Sequence, residues 1–447
     1  MKRVDSWKTT IDGQLLLAAQ PQMQMNAASN KADAAFKIHV DAQAKYQVMD
    51  GFGASFTDAS AYLVYHKLEQ NDRDRLMRQL FDAQEGIGMS ILRQPMGASD
   101  FASALYSYND LPAGSEDMDL QHFSIEHDQA YILPLLREAL RINPQLKILA
   151  SPWSPPGWMK TSGRMIGGTL RPECYETYAA YFVKFIQAYE REGIPIYAVT
   201  IQNEPGYEPK EYSGMILRPE EERDFIAHYL GPAFERAGIK ALILCYDHNW
   251  DVPEHPLTVL RDPAANRYIA GSAWHCYGGE HEAMSNVREA YPDKGIWFTE
   301  ASGGEWVPPF REAFLDQMKH VIRSTRNWSK SVVWWNIALD EHNGPTVLSN
   351  STCRGLVGIE QGTGEITVHL DYYTMGHISK FVEPGAVRID SDTYVDVVES
   401  VAFRNPDGST VLIVSNRTPE EQTFEVSTDD GVFLYSLSGE GAITFKW

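Results

Sequence analysis

The sequence predicts an α/β protein: a (β/α)8 TIM barrel with a β-sandwich side domain built from both chain ends. Three observations carry this. Between residues 48 and 384, short apolar runs alternate with amphipathic helical segments, the pattern of a parallel sheet wound with helices. The eight runs are each mostly apolar, as strands covered on both faces are. Residues 1–47 and 385–447 hold strand-like segments without helices between them, so each end can bury its apolar side only against the other.

The eight strands are expected at 48–56, 89–93, 147–153, 197–202, 241–246, 269–275, 296–300 and 331–337. Between them lie the helices. Tyr175, Tyr178, Phe182, Phe185, Ile186 and Tyr189 recur at helical spacing, and Gly193 ends that run. A second helix opens at Pro219, where a missing N–H does no harm, and closes before Gly238. Residues 130–142 and 311–323 also have helical periodicity, and Pro134 predicts a kink or an altered start in the first. In the flanks, 36–40, 394–398, 411–414, 423–426 and 442–445 alternate or run as short strands separated by turn signals such as Asn405-Pro406-Asp407-Gly408.

The totals narrow the function classes. A chain of 447 residues suits one large barrel and one smaller domain. A net charge of −21 opposes binding to nucleic acid and to anionic membrane surfaces, and leaves neutral sugars and glycolipids open. The 4 cysteines have long, irregular spacings that match no structural zinc site, and are expected as reduced thiols. No apolar stretch has the length of a membrane span or the layout of a signal peptide, so a cytoplasmic location is the expectation. No phosphate-binding glycine loop and no metal-ligand spacing is present, and no cofactor is expected. Oligomeric state is not legible.

In a barrel of this kind chemistry sits at the C-terminal strand ends. Strand four ends in Gln202-Asn203-Glu204-Pro205, and strand seven in Thr299-Glu300-Ala301. Two carboxylates delivered from two strands are the equipment of a retaining glycoside hydrolase, one as acid/base and one as nucleophile. The other ends carry Arg93 with Asp100, Trp153, Asp247 with His248, His275 with Tyr277, and Trp335 with Asn336. Asp100, Trp153, Asn203 and Trp335 suit a sugar, because amides and carboxylates bind hydroxyls while a ring covers the C–H face. Each also has an ordinary role, Asp100 as a turn cap and Trp153 as a packed rim residue. Arg93 is expected to pair with a carboxylate and His275 to orient a neighbour. Asp247, His248, His275 and His342 keep a metal-dependent hydrolase in play, without a recognisable ligand motif.

At these residues the chain resembles the glucosylceramidase (acid β-glucosidase) family, glycoside hydrolase family 30. The resemblance runs from Asp50-Gly51-Phe52-Gly53 and Glu85-Gly86-Ile87-Gly88 through Arg93-Gln94-Pro95-Met96 and Ser151-Pro152-Trp153. It continues in Gln202-Asn203-Glu204-Pro205, Thr299-Glu300-Ala301-Ser302, Trp335-Asn336 and Gly376-His377-Ile378-Ser379-Lys380-Phe381. It implies Glu204 as acid/base and Glu300 as nucleophile, with Asp100, Trp153, Asn203 and Trp335 around a non-reducing glucose. Arg93, His275 and Tyr277 match positions near the nucleophile, and Asn350 matches a rim position. The implied activity is an exo-acting β-glucosidase of glucosylceramidase type on a glycolipid or oligosaccharide. The alternatives are a β-xylosidase, β-fucosidase or β-1,6-glucanase of the same family, a carbohydrate-binding barrel without turnover, or a metal-dependent hydrolase.

Overall fold

The structure, a computed structural model, describes residues 2–27, 34–307 and 311–447. The barrel strands are β1 (Gly51–Ser55), β2 (Ile91–Pro95), β3 (Lys147–Ser151), β4 (Ile196–Thr200), β5 (Leu242–Asn249), β6 (Ile269–His275), β7 (Gly295–Glu300) and β8 (Ser331–Trp334). They pair in parallel in chain order, and β8 returns to β1. The β7–β8 seam is completed partly by side chains. Phe298 N donates to Ser329 Oγ at 2.8 Å, and Ser331 Oγ donates to Phe298 O at 3.1 Å. Backbone bonds close the seam on either side, from Lys330 N to Ile296 O and from Ala301 N to Val333 O.

Two of the register shifts in the barrel bear on its C-terminal mouth. Ala273 pairs with Tyr246 and Trp274 with His248, which leaves Asp247 as a bulge in β5. Trp274 pairs with Phe298 and His275 with Glu300, which leaves Thr299 as a bulge in β7. Tyr246 and Asp247 have φ of 78° and 71°, a left-handed backbone that costs a non-glycine residue about 1 kcal/mol or more. A bulge re-aims side chains, and β5 consequently runs beyond the expected residue 246.

The N-terminal mouth of the barrel is tied by Asp50. It accepts from Lys147 Nζ at 2.6 Å, Tyr197 OH at 2.7 Å and Trp297 Nε1 at 2.9 Å, with Lys330 Nζ at 3.2 Å. Burial alone would raise this carboxyl, but Lys330 and Lys147 hold it below its ordinary value. The depressed folded value means that Asp50 stabilises fully above the unfolded carboxylate range, about pH 4, and loses this as pH falls through the folded value. Asp50→Ala is expected to cost about 2 kcal/mol in urea unfolding at pH 7, with the difference from wild type shrinking below pH 4.

The helices follow the expected periodicity with two departures. The segment opening at Pro219 is a helix (Pro219–Phe225), a wider π turn (Ile226–Leu230) and a second helix (Gly231–Ala237). Pro232 has no N–H to give to the carbonyl four residues back, and the ladder widens just before it. Helix Glu126–Ile142 begins earlier than expected and carries Pro134 within its length.

The sandwich is built from both ends. Strand Arg3–Thr9 pairs with Ala442–Lys446, which pairs with Thr410–Asn416, then Val398–Arg404 and Val387–Ser391. The long strand Phe36–Val48 joins the two layers: its later part pairs with Val387–Ser391, its start with Gln422–Thr428. The layers bury Val4, Ile38, Leu412, Val426, Phe433 and Phe445 between them. The strand expected at 394–398 is instead a tight reverse turn. Tyr394 bridges to Val398, and Asp396 has φ of 63°, so the apolar alternation there crosses a corner. Against the barrel, buried His377 meets Thr444 Oγ1 at 2.9 Å through Nδ1 and Thr9 Oγ1 at 2.8 Å through Nε2. Burial pushes this imidazole down to about 3, so it is neutral and bonds as donor on one side and acceptor on the other.

Candidate active site

A cavity of about 300 Å³ opens at the C-terminal ends of the strands. Its walls include Asp100, Trp153, Asn203, Glu204, Tyr277, Glu300 and Trp335 from the sequence expectation. Arg93 and His275 lie fully buried just behind them. Asn350 does not join this group: it stands exposed on the loop after β8, outside the cavity lining.

The two glutamates face each other. One oxygen of each, together with a ring nitrogen of His275, lies within 4.8 Å of the others. Glu204 follows β4 with φ of 48°, held there by its N–H to Asp247 O at 3.0 Å. Glu300 ends β7, where the bulge at Thr299 turns it inward. Their surroundings differ. Glu300 accepts from Arg93 Nη1 at 2.5 Å and from Tyr277 OH at 2.8 Å. Among the described residues the Glu204 carboxylate has one close partner, His275 Nδ1 at 3.1 Å, with His248 Nε2 at 3.9 Å.

Asp247 is the hub behind both carboxylates. Its Oδ2 accepts from Arg93 at 2.7 Å, Ser151 at 2.5 Å and Thr200 at 2.8 Å. Its Oδ1 accepts from Thr299 at 2.6 Å and faces His275 Nε2 at 3.0 Å. Burial opposes this charge, but Arg93 and His275 hold Asp247 well below the usual carboxylate range. Arg93 also donates to Asn203 Oδ1 at 2.7 Å, so one guanidinium fixes Asp247, Asn203 and Glu300 together. A linked circuit results, from Glu204 through His275, Asp247 and Arg93 to Glu300.

The circuit sets the protonation states. Burial works against a charge on His275, but Glu300 and Asp247 raise it to about 9. Burial would also raise Glu204, yet the hydrogen bond and charge of that imidazolium hold it down. Burial pushes Glu300 up, against His275 and Arg93 and aided by Glu204. Burial, with Glu300 and Glu204 nearby, pushes Asp100 up to about 8. Among the described residues Asp100 Oδ1 has no hydrogen-bond partner, so a neutral carboxyl stands ready for a ligand hydroxyl. Trp153 and Trp335 stack at 5.0 Å and are nearly buried, with Arg93 4.8 Å from the Trp153 ring. They support the arginine as well as lining the cavity, so Trp153 is a packed rim residue that also faces the cavity.

The group Glu204, His275 and Glu300 has the donor types of a metal site. The guanidinium of Arg93 already supplies a positive charge to Glu300, and His275 is poised to carry a proton on Nδ1. This donor set suits proton transfer rather than a cation.

The cavity also takes in His248, expected at the end of strand five, and Ser302, expected only within a motif, while Tyr207 and Tyr212 on the loop after Glu204, Asn249 and Cys353 carried no site expectation. The Tyr246-Asp247-His248 run was visible as polar residues ending an apolar strand. The two tyrosines sit in a loop without periodicity and gave no such signal.

Comparison with known proteins agrees with this geometry. The description "Glycosyl hydrolase family 30 TIM-barrel domain" matches residues 49–382, and "Glycosyl hydrolase family 30 beta sandwich domain" matches residues 385–445. An endo-1,6-β-D-glucanase of Neurospora crassa is 32% identical over 445 residues, covering 95% of this chain and 91% of that protein. The lysosomal acid glucosylceramidase of Mus musculus is 31% identical over 451 residues, covering 94% and 85%. A solved endo-β1,6-glucanase superposes with a TM-score of 0.90 at 33% identity, covering 100% of this chain and 99% of that one.

Proposed function

The chain belongs to glycosyl hydrolase family 30 and is a retaining glycoside hydrolase, and from that premise we propose that it releases a terminal β-D-glucose from a sugar leaving group. The observation that carries the finer reading is the wall beside Glu204. Tyr207, Tyr212, His248 and Asn249 line it, all polar or aromatic, with no aliphatic side chain among the described cavity residues. Such a wall stacks on and hydrogen-bonds to a hydroxylated ring, whereas an alkyl chain would leave those polar groups unpaired. A β-1,6-linked glucoside is therefore the first substrate to test and a glucosylceramide the second.

In the proposed cycle Glu300 attacks the anomeric carbon while Glu204 protonates the leaving oxygen. The bond from carbon to the leaving oxygen breaks as the glycosyl ester to Glu300 forms. Water then attacks the same carbon, gives its proton to Glu204 and frees Glu300, with the β-configuration retained. The spacing of the carboxylate oxygens suits this route, since an inverting pair stands roughly 6.5–9.5 Å apart. Arg93 and Tyr277 stabilise Glu300 as an anion and leaving group. In this reading Asn203 and Asp100 bind sugar hydroxyls and the two tryptophans cover the ring face, supported by all four lining the cavity.

A 2-fluoro β-glucoside tests the chemistry: the expected result is a trapped glycosyl ester on Glu300, and a label on any other carboxylate overturns the assignment. Rates on β-1,6-glucan, a nitrophenyl β-glucoside, a nitrophenyl β-xyloside and dispersed glucosylceramide test the substrate. The expected order places β-1,6-glucan above glucosylceramide, with glucose as the released product. A higher kcat/KM on the glycolipid overturns the sugar leaving group, and oligosaccharide products overturn the terminal cut.

A further inference from the structure

We infer that His275 is a positioning residue that holds the acid/base proton jointly with Glu204, in the bond between His275 Nδ1 and Glu204 Oε1. This rests on the assignment of Glu204 as the acid. Asp247 fixes the other side of the ring. It is fully buried and surrounded by donors on both oxygens: Arg93, Ser151, Thr200 and Thr299. An acceptor so saturated is ionised, so the 3.0 Å contact with His275 requires a hydrogen on Nε2.

That leaves Nδ1 facing Glu204 Oε1 at 3.1 Å. Two lone pairs at that distance repel, so one proton lies between them. It rests on Nδ1 as an imidazolium beside a carboxylate, or on Oε1 as a carboxylic acid beside a neutral ring. The shift between these forms is a movement along one hydrogen bond. With the proton on Nδ1, Glu204 is a carboxylate held low by the imidazolium beside it. With the proton on Oε1, Glu204 is the acid and Glu300, bonded to Arg93 and Tyr277, is the anion. The working state for sugar cleavage is the second.

The proton count closes over the cycle. In the first step the shared proton leaves with the aglycone oxygen while the charge on Glu300 disappears into the glycosyl ester. The circuit of Arg93, Asp247, His275, Glu204 and Glu300 thus keeps the same total charge. The carboxylate left on Glu204 now faces an unprotonated Nδ1, and this repulsion is relieved only when Glu204 takes the proton of the incoming water. His275 thereby favours Glu204 as acid in one half of the cycle and as base in the other.

The groups around the pair are Arg93 and Asp100 from β2 and its loop, Asp247 and His248 from β5, Tyr277 after β6, and Glu300 from β7. Asp100 also titrates near neutrality, at about 8, and is common to wild type and variant, so their difference isolates the pair.

The test compares wild type, His275→Gln and Glu204→Gln. In His275→Gln the alkaline limb of kcat/KM is expected to move to lower pH by about one unit, because Glu204 must hold its proton alone. The loss on an alkyl β-glucoside should exceed that on a dinitrophenyl β-glucoside by ~10²-fold, since only the poor leaving group needs the acid. An unmoved limb, or equal losses in His275→Gln while Glu204→Gln discriminates, overturns the inference and leaves the assignment of Glu204 standing. Equal losses in Glu204→Gln remove the acid assignment and the inference with it. If His275→Gln does not fold, ¹⁵N-histidine spectra of wild type decide. Nε2 should stay protonated throughout, and the Nδ1 signal should move between the free enzyme and its 2-fluoroglucosyl ester; an Nδ1 signal that stays in place overturns the inference.

Discussion

Glu300→Gln is expected to remove turnover, with kcat on a nitrophenyl β-glucoside falling on the order of 10⁴-fold or more. The amide cannot form the glycosyl ester, so no other residue substitutes for the missing step. The fold should survive. Gln at this site still offers its one oxygen to Arg93 and turns its NH2 to the Tyr277 hydroxyl, which can accept, and it loses a charge that is costly to bury. Steady-state kinetics and a thermal melt together check the point. Near-normal activity would show that another carboxylate is the nucleophile, and a collapsed melt would move the explanation to stability. Because the variant keeps the cavity, it should also bind a β-1,6-glucoside without cleaving it.

Asp247→Ala is expected to be the most damaging single change to the stability of the barrel, by about 3–5 kcal/mol in urea unfolding at pH 7. The side chain accepts from residues of β2, β3, β4 and β7 and faces His275 of β6. Removing it strands Arg93 with less countercharge inside the barrel and takes from three buried hydroxyls the acceptor they share. The sign of its pH dependence follows from its depressed folded value. The stabilisation is complete above the ordinary carboxylate range, about pH 4, and is lost as acid protonates the folded state below it. Wild type and variant should therefore converge in stability only in strong acid. A loss of under about 1 kcal/mol at pH 7 would mean that the circuit reorganises without its hub.

Much of the barrel was legible because its strands are apolar on both faces, and apolar runs between amphipathic helices have few other solutions. Glu204, Glu300, Asp100, Trp153, Asn203, Tyr277 and Trp335 were legible because they stand at strand ends, where the topology converges on one cavity. Asp247 was seen as a strand-end residue, but its central role depends on a bulge, and a register shift leaves no periodic trace. Asn350 was expected near the rim and stands outside the lining, on a loop whose course no pattern reports. Tyr394 to Val398 alternates like a strand, yet a positive φ at Asp396 folds it into a corner. For Asp247 the deciding contacts, with Arg93, Ser151 and Thr200, are distant in sequence.

The joint at His377 has a consequence for how the chain is made. Thr9 and Thr444, separated by more than four hundred positions, grip opposite nitrogens of one imidazole on the barrel's last helix. During vectorial synthesis the first strand leaves the ribosome long before its partner at Ala442–Lys446 exists. It can pair early with Ala18–Ala19 and Met23–Gln24, but the edge that Ala442–Lys446 will cover must wait exposed while the barrel forms behind it. The sandwich then latches in a single late event that engages both ends at once. Nascent chains arrested before residue 442 should accordingly hold a formed barrel with an N-terminal segment open to protease.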